Sequence, residues 1–569
     1  MPDKRTIWAI VLCGVILLVW AKFFSPPPPQ PPPAAHPTVT EPNKPGAPVE
    51  EAAAVAPAGQ VGQVAGAPGA ATVYPELETK LETATEEFVF SNRGAVLRHA
   101  RLTQPKYKER PADKASPGID LVRTQDPKLA PLRISFPDSG FPAPADTAWQ
   151  LVGDAPPPPA GVQQLVYRAE TPTVRIEKRF LFDSNRYRMH LDVTVENRSA
   201  APLDHHLAIQ VSGHQDPEAK GGFLSGSTGN TAAMLCHVDD DISRVTMEKL
   251  EKEGVQKVGG VNWIGADEKF FLLAIAPYPE TPPKERKCAS TFVGSGTGTT
   301  QLSFAERTLP PGARTSYAFA VYLGPKVISD LEEVKPGGVD INFTKAVDVT
   351  LAPISKPMLI VMKFFQHYVK NWGVAIILLT IFIRLLTFYP TQKSLLSAKK
   401  MQRLGPKLAA IRKKYENDKQ RQSTETMALY KSQGVSPFGG CLPSLIQMPI
   451  WIALYSTLNY SVELYRSPFI FHLKDLTAKD PYYITPLLMG GVMFIQMKMS
   501  PTSPDNQQQA MMSFMMPIMF TAFSLVLPSG LAVYMLTSYL IGIFQQLWIN
   551  HLDRKHNGPQ IISPAPAKS

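Results

Sequence analysis

No aspartate or glutamate interrupts the long apolar stretches of this 569-residue chain. Trp372 to Phe388, Pro437 to Tyr460, Tyr483 to Met497, Met511 to Leu527 and Leu531 to Trp548 contain none. A secondary transporter normally shows intramembrane carboxylates and internal repeats, and neither is visible. Four cysteines are too few for a disulfide scaffold. P-loop and GxSxG patterns are missing, so nucleotide-driven and serine-hydrolase chemistry lack their signatures. His205, His206 and His214, or Cys236 and His237 ahead of Asp239 to Asp241, have neither finger-like nor HExxH spacing. They read as solvated strand and loop residues, and neither a metal nor a cofactor is expected.

Proline, by contrast, is abundant: 55 residues, about twice the usual share. Much of it follows the N-terminal segment, residues 1–24, where Lys4 and Arg5 precede an apolar run from Ile7 to Ala21. Lys22 and polyproline follow in place of a small-residue cleavage site, so the segment reads as an uncleaved signal anchor with a cytoplasmic N-terminus. Cys13 within it is either a small hydrophobe or a lipidation site. Residues 25–71 are a Pro/Ala-rich tether that cannot bury enough apolar surface to order itself, with a proline-rich docking peptide as the alternative.

Residues 72–350 change to a period of two. Glu87 to Phe90 and Ala95 to Leu102 flank a Ser91-Asn92-Arg93-Gly94 turn, and Val174 to Phe182 and Tyr187 to Glu196 flank Asp183 to Arg186. Met189, Leu191, Val193 and Val195 alternate with Arg188, His190, Asp192 and Thr194, one buried face and one wet face. This predicts an all-β sandwich of roughly 250 residues outside the cytoplasm. In that oxidising compartment Cys236 and Cys288 stand either bridged or as separate thiols. An enzyme of the carbohydrate-processing kind on this domain would need paired carboxylates in a cleft, and deleting Val73 to Lys326 would abolish its activity. Residues 351–370 have the apolar spacing of an amphipathic interfacial helix.

Residues 371–389, NWGVAIILLTIFIRLLTFY, form the stretch around which the rest is organised. Arg384 lies roughly 18 Å from the Trp372 end and about 6 Å from the Phe388 end of a helix, with Thr380 one turn earlier on the same face. A guanidinium in hydrocarbon costs at least about 2.5 kcal/mol unless paired, hydrated or able to snorkel. With no acid in any span, it either snorkels to the nearer surface or lines a wet cavity in the bundle. Residues 390–436 carry eleven Lys and Arg against three acids, a net of +8 that places this loop in the cytoplasm. It reads as a helical hairpin, about Thr391 to Tyr415 with a kink at Pro406, then about Lys419 to Gln433. Its basic residues Lys399, Lys400, Arg403, Lys407, Arg412, Lys413 and Lys414 exceed what topology needs and suit anionic lipid, ribosomal RNA or an acidic nascent segment. The charge of the chain, +10, thus gathers beside membrane spans and not on a DNA-binding face. Residues 437–549 hold four further short spans, the first with Pro437, Pro443 and Pro449 at six-residue spacing and so kinked or locally open. Nine of the nineteen methionines fall between Met489 and Met519, either as fillers of an irregular core or as a soft surface for varied apolar helices. The tail, 550–569, returns to the cytoplasm.

These spans resemble the YidC family of membrane protein insertases, in its Gram-negative form with a large periplasmic domain. The resemblance rests on NWG at 371–373, Thr380 with Arg384, KKMQRLGPKLAAIRKKY at 399–415, DKQR at 418–421, MALYK at 427–431 and GGCLPSLIQMPIWIALY at 439–455. SVEL at 461–464, DPYYITPLLMG at 480–490, KMSPT at 498–502 and PSGLAVYM at 528–535 extend it over nearly all of 371–548. The fold it implies is multi-domain: a polytopic α-helical membrane bundle of six transmembrane helices, five in the conserved core, plus an all-β periplasmic sandwich. It also implies a groove open to cytoplasm and lipid, with Arg384 and Thr380 inside and Met448, Pro449, Trp451, Tyr534 and Met535 facing the substrate helix. Implied partners are nascent integral membrane proteins, the Sec translocon, the ribosome and membrane lipids, with no DNA, in the bacterial inner membrane. The chain departs from the family pattern at Met535, where tyrosine is common, and at Tyr389 and Pro390, where proline and leucine are usual.

Overall fold

The structure is a computed structural model describing residues 75–557 apart from 112, 114, 125, 140, 142–146, 154, 184–185, 217–231, 280–284, 348–350, 436–441 and 500–506. The anchor and tether expected over 1–24 and 25–71, with Cys13, and most of the 550–569 tail lie outside the described residues. The β-rich part is built on a nine-stranded antiparallel sheet. In spatial order its strands are Asp241–Thr246, Ala233–Val238, Val261–Asp267, Phe271–Pro277, Arg314–Pro325, Arg188–Asn197, Val174–Asp183, Val162–Glu170 and Gln150–Leu151. A five-stranded sheet, Val255–Gly259, Arg286–Gly294, Thr297–Phe304, Ala208–His214 and Ile134–Ser135, shares its core. A three-stranded sheet, Glu78–Glu82, Glu86–Ser91 and Val96–Leu102, packs Phe90 on Phe180 at 4.7 Å and Phe88 on Phe182 at 5.1 Å.

Period-two alternation makes this core: Met189, Leu191, Val193 and Val195 are all buried, as are Val174, Ile176, Phe180 and Phe182 on the neighbouring strand. Lys178 occupies the inward position between Ile176 and Phe180 and is fully buried. Its ammonium donates to the carbonyls of Gly94 at 3.0 Å, Ala95 at 2.8 Å and Leu132 at 2.8 Å. Three donors meet three acceptors, pinning Ala95 and Leu132 with their left-handed backbones. Burial still pushes this lysine well below its ordinary pKa, because the charged form is the one desolvated.

Cys236 and Cys288 are joined, Cα atoms 6.4 Å apart, and the bond ties the nine-stranded sheet to the five-stranded one. The histidines are less exposed than their sequence setting suggested. His205 is fully buried and bonded to the Tyr317 hydroxyl at 2.9 Å, and His237 lies buried against Trp263. Each stands on a strand position that turns inward, where a ring is worth more as packing than as a solvated base. Burial and then the nearby Lys345 ammonium bring His237 down to a pKa of about 4.

Two short helices, α1 (Met247–Lys252) and α2 (Ile328–Glu332), belong to the β-rich part. The helical part comprises α3 (Ala352–Val369), α4 (Trp372–Leu386), α5 (Phe388–Arg403), α6 (Gly405–Lys414), α7 (Lys419–Ser432), α8 (Leu442–Tyr460), α9 (Ile484–Met499), α10 (Gln507–Ser524) and α11 (Ser529–Asn557). Among the described residues, one helix is long and apolar enough to cross a membrane alone, through its segment Ser529–Leu552. A second qualifies only as the bent pair α4 and α5, which meet at 63°. Pro390 explains the bend: it has no N–H for the Leu386 carbonyl, and proline is tolerated in the first turn of a new helix. Thr387 adds to it by donating its hydroxyl back to the Ile383 carbonyl at 2.9 Å. The kink expected at Pro406 falls at Leu404, between α5 and α6. Of the segment expected to be kinked or locally open at its prolines, Pro437 lies outside the described residues, and the rest is one helix with Pro449 inside it and Pro443 in its first turn, where an N–H is free in any helix.

The loop after α8 clamps the two parts together. Tyr465 stacks on Tyr107 at 6.1 Å and meets Phe270 at 4.8 Å and Phe271 at 5.7 Å, while Val462 is buried in the sandwich core. Lys106 donates to the carbonyls of Val462 and Glu463 at 2.9 and 3.0 Å, and Arg466 donates to those of Lys108 and Glu109. Glu463 also pairs with Lys363 of α3 at 2.5 Å. Tyr465→Ala empties an aromatic socket, a change that costs about 3 kcal/mol. Faster hydrogen exchange of the Val462 to Ser467 amides in the nanodisc-embedded protein is the expected readout, and unchanged exchange would refute the clamp.

Candidate functional site

Arg384 stands in the last turn of α4, half-buried, just before the bend. Its guanidinium reaches across to α11, where Nε–H donates to Ser538 Oγ at 2.9 Å and Nη2–H donates to the same oxygen. Ser538 is itself buried. One turn earlier, the fully buried Tyr534 accepts a hydrogen bond from the Gln447 amide of α8. Tyr539 lies close enough to couple electrostatically with Arg384. The result is a polar cluster drawn from three helices, the Gln447–Tyr534 pair one turn from the Arg384–Ser538 pair. Among the described residues no carboxylate pairs with the arginine, so its charge meets only neutral dipoles.

The polar face continues along α11. Gln545 and Gln546 are buried, and Gln546 donates to Asn550 at 3.1 Å. Gln496 of α9 presses into α11 at Gly542, where an added Cβ would lie 2.2 Å from its amide nitrogen. The Gln545 amide nitrogen and the Trp451 indole N–H are buried without a hydrogen-bond partner among the described residues. Orphaned donors in an apolar bundle are costly and mark where water or another chain is needed.

The other sequence-selected residues are distributed as follows. Thr380 is fully buried and donates its hydroxyl to the Ile376 carbonyl of its own helix at 2.7 Å, while the guanidinium bonds Ser538 and not Thr380. Met448, Pro449 and Trp451 are half-buried on α8, with the Trp451 ring stacked on Tyr455 at 6.0 Å. Met535 is buried in the core of the helical part, in the same apolar cluster as Leu379 and Leu531. Lys400, Arg403, Lys407, Arg412, Lys413 and Lys414 are exposed on α5 and α6, and Lys399 donates to the Ile549 carbonyl of α11 at 3.3 Å. Leu404, Leu408 and Val435 give this basic hairpin a small core of its own. Sequence reading passed over Ser538, Gln447 and Tyr539. Of these, only Ser538 had a local signal: with Tyr534 and Gln545 it recurs on one face of a largely apolar helix.

Residues 364–556 match the family described as 60Kd inner membrane protein, and residues 78–361 match the YidC periplasmic domain. The membrane protein insertase YidC of Syntrophus aciditrophicus (strain SB) is 34% identical over 565 residues, covering 96% of this chain and 99% of the relative. That of Oleidesulfovibrio alaskensis is 33% identical over 561 residues, covering 96% and 99%. The chain belongs to the YidC family of membrane protein insertases. A crystal structure of an active YidC insertase with its first transmembrane domain resolved is similar at a TM-score of 0.36 and 18% identity, over 85% of this chain and 95% of that one. The β-rich part is thus the periplasmic domain of a YidC-family protein, and the helical part its inner-membrane domain.

Coupling between Arg384 and Ser538 is measurable. In a double-mutant cycle on thermal unfolding in detergent, Ser538→Ala should cost about 1.5 kcal/mol or more with Arg384 present and much less in an Arg384→Leu background. Additive effects would show that the contact contributes nothing.

Proposed function

We propose that the chain is an insertase and chaperone that inserts, folds and helps assemble integral inner-membrane proteins, alone or with the Sec translocon, through a hydrophilic intramembrane groove. The observation that carries this is the half-buried Arg384, held by one serine hydroxyl with no carboxylate partner among the described residues. A guanidinium has five donors and a full charge. Serine orients it but leaves the charge uncompensated, so water or an incoming acidic segment lowers its energy. Gln447, Tyr534, Ser538 and Gln545 extend that polar cluster, and the half-buried Met448, Pro449 and Trp451 offer the apolar face to a substrate helix, whereas Met535 and Tyr534, also expected there, are buried behind it. Thr380 sets the close packing beneath the arginine.

Six transmembrane helices with both termini cytoplasmic fit this reading: the N-terminal anchor, then α4, α8, α9, α10 and α11. Helices α9 and α10, of 16 and 18 residues, are about 24 and 27 Å long, less than a hydrocarbon core of about 30 Å. Such spans thin the bilayer locally and shorten the distance a polar flank must cross. The substrate then leaves sideways into lipid, driven by burial of its own apolar surface at about 25 cal/mol per Å². No nucleotide is consumed and no covalent step is needed. The basic hairpin, α5 to α7, meets anionic lipid, the ribosome or an acidic nascent segment on the cytoplasmic side.

Arg384→Ala in proteoliposomes should reduce insertion of substrates with acidic translocated segments roughly tenfold, a loss of about 1.4 kcal/mol of attraction. Purely apolar substrates should be much less affected, and Arg384→Lys should recover part of the loss. Equal insertion of both substrate classes by the alanine variant would overturn the role of the charge.

A further inference from the structure

The loop joining α8 to α9 holds out a cluster of apolar side chains that none of the described residues covers. Phe471 is 92% exposed, Tyr482 67% and Ile470 47%, and Tyr483 is also exposed. The tip is rigidly built. Phe469 N–H donates to the Leu473 carbonyl at 2.9 Å and Leu473 N–H to that of Ile470 at 3.1 Å, closing a tight turn around Phe471. Phe471 has a φ of 49°, a left-handed conformation that aromatic residues rarely adopt. Buried Asp480 secures the other side, accepting from the Tyr482 and Thr485 amides at 3.0 and 2.8 Å and lying 3.2 Å from His472 Nε2. His472 in turn meets the Tyr482 ring edge-on at 5.7 Å. A strained turn held together by buried hydrogen bonds thus projects a phenylalanine away from its own protein.

Its height can be read from neighbours. Phe469 packs on Gly373 in the first turn of α4, and the Asn371 side chain donates to the Phe469 carbonyl at 3.1 Å. Tyr483 immediately precedes α9, whose Ile484, Leu487 and Leu488 are exposed. The tip therefore lies at the level where two apolar helices begin, and its apolar surface runs on into theirs. Lys474 and Lys479 flank it, exposed, where lipid phosphates would stand. Aromatic rings at this depth favour the membrane–water interface.

We infer that Phe471, with Ile470, Tyr482 and Tyr483, is an anchor that inserts into the periplasmic-leaflet phospholipid and fixes the depth of the α8–α9 loop. The inference rests on the proposed reading that α4, α9 and α11 cross the bilayer, and the test separates the two. Nitroxide labels are placed one at a time by Phe471→Cys, by Leu540→Cys on α11 and by Val258→Cys on the exposed sandwich surface. The full-length protein carries Cys13→Ser and Cys441→Ser, and sits in phosphatidylethanolamine–phosphatidylglycerol nanodiscs. Collision with oxygen and with a water-soluble nickel chelate reports depth for each label. The expected result is an oxygen-to-nickel accessibility ratio at position 471 several-fold above that at 258 and below that at 540. A ratio at 471 equal to that at 258, with 540 deep, overturns the anchor and leaves the membrane topology standing. Low collision with both reagents at 471 overturns it in favour of a protein partner or a second copy. A water-like ratio at 540 overturns the topology itself, and the anchor with it.

Discussion

A guanidinium placed between apolar helices and met by a single neutral hydroxyl constrains much of what surrounds it. Arg384 and Ser538 stand on helices far apart in sequence, so their contact requires α4 and α11 to pack side by side with both polar positions inward. Tyr534 and Gln447 extend the requirement to α8. Around this cluster the bundle is conventionally apolar, with Ile376, Leu379, Ala453, Leu454, Leu458 and Leu531 filling the space nearer the outer ends. The guanidinium and its partners thus lie to one side of this apolar plug, whose outer end also buries Ser456, Thr457 and Asn459. A bundle uniformly polar would not hold together in lipid, and one uniformly apolar would offer nothing to a hydrophilic segment.

The plug is braced from outside. Tyr465 leaves the membrane part to fill a socket of Tyr107, Phe270 and Phe271, while Lys106 and Arg466 exchange hydrogen bonds with backbone carbonyls across the joint. Carbonyl acceptors matter here because they are fixed by the sandwich and by the loop, so each bond also sets an angle between the two parts. Through Glu463 and Lys363 the same loop holds α3, the helix that leads into α4. The outer end of the arginine-bearing helix is therefore held by the periplasmic domain, whereas its inner end is released at the Pro390 bend.

Most of the sandwich was legible from alternation alone, since a strand with one wet face writes its burial every second residue. Lys178 shows the limit: it sits on the inward register like Ile176 and Phe180, and nothing local says that three carbonyls from distant turns converge on it. His205 and His237 failed for the same reason, because burial of a polar ring depends on a partner such as Tyr317 that sequence order does not reveal. In the membrane part, Arg384 announced itself as the exception in an apolar run. Its acceptor did so only as one of the polar residues sharing a face of α11, because a serine in a membrane helix is unremarkable until the helix opposite is known. The boundary between the span and the helix that follows read within a few residues of its place, but not its angle, the 63° by which Pro390 and Thr387 divert the chain.

On the proposed reading, the neutrality of that acceptor suits a site that binds and releases many different chains. Had α11 carried an aspartate in place of Ser538, an arriving acid would have to displace an established ion pair, and breaking a buried pair costs about 3–5 kcal/mol. A hydroxyl bonded to a charged group contributes less, about 1.5–3 kcal/mol, and need not be given up when a third party approaches from the open side. The guanidinium can keep both bonds to Ser538 and still present other N–H groups to a visitor. Attraction of this kind is strong enough to draw a polar flank partway into the bilayer, yet weak enough that burying a few apolar side chains in lipid, each worth about 1.5–3 kcal/mol, suffices to pull the segment away. On the proposed reading, selectivity for acidic flanks and ready release of the inserted helix follow from the same choice of a serine over a carboxylate.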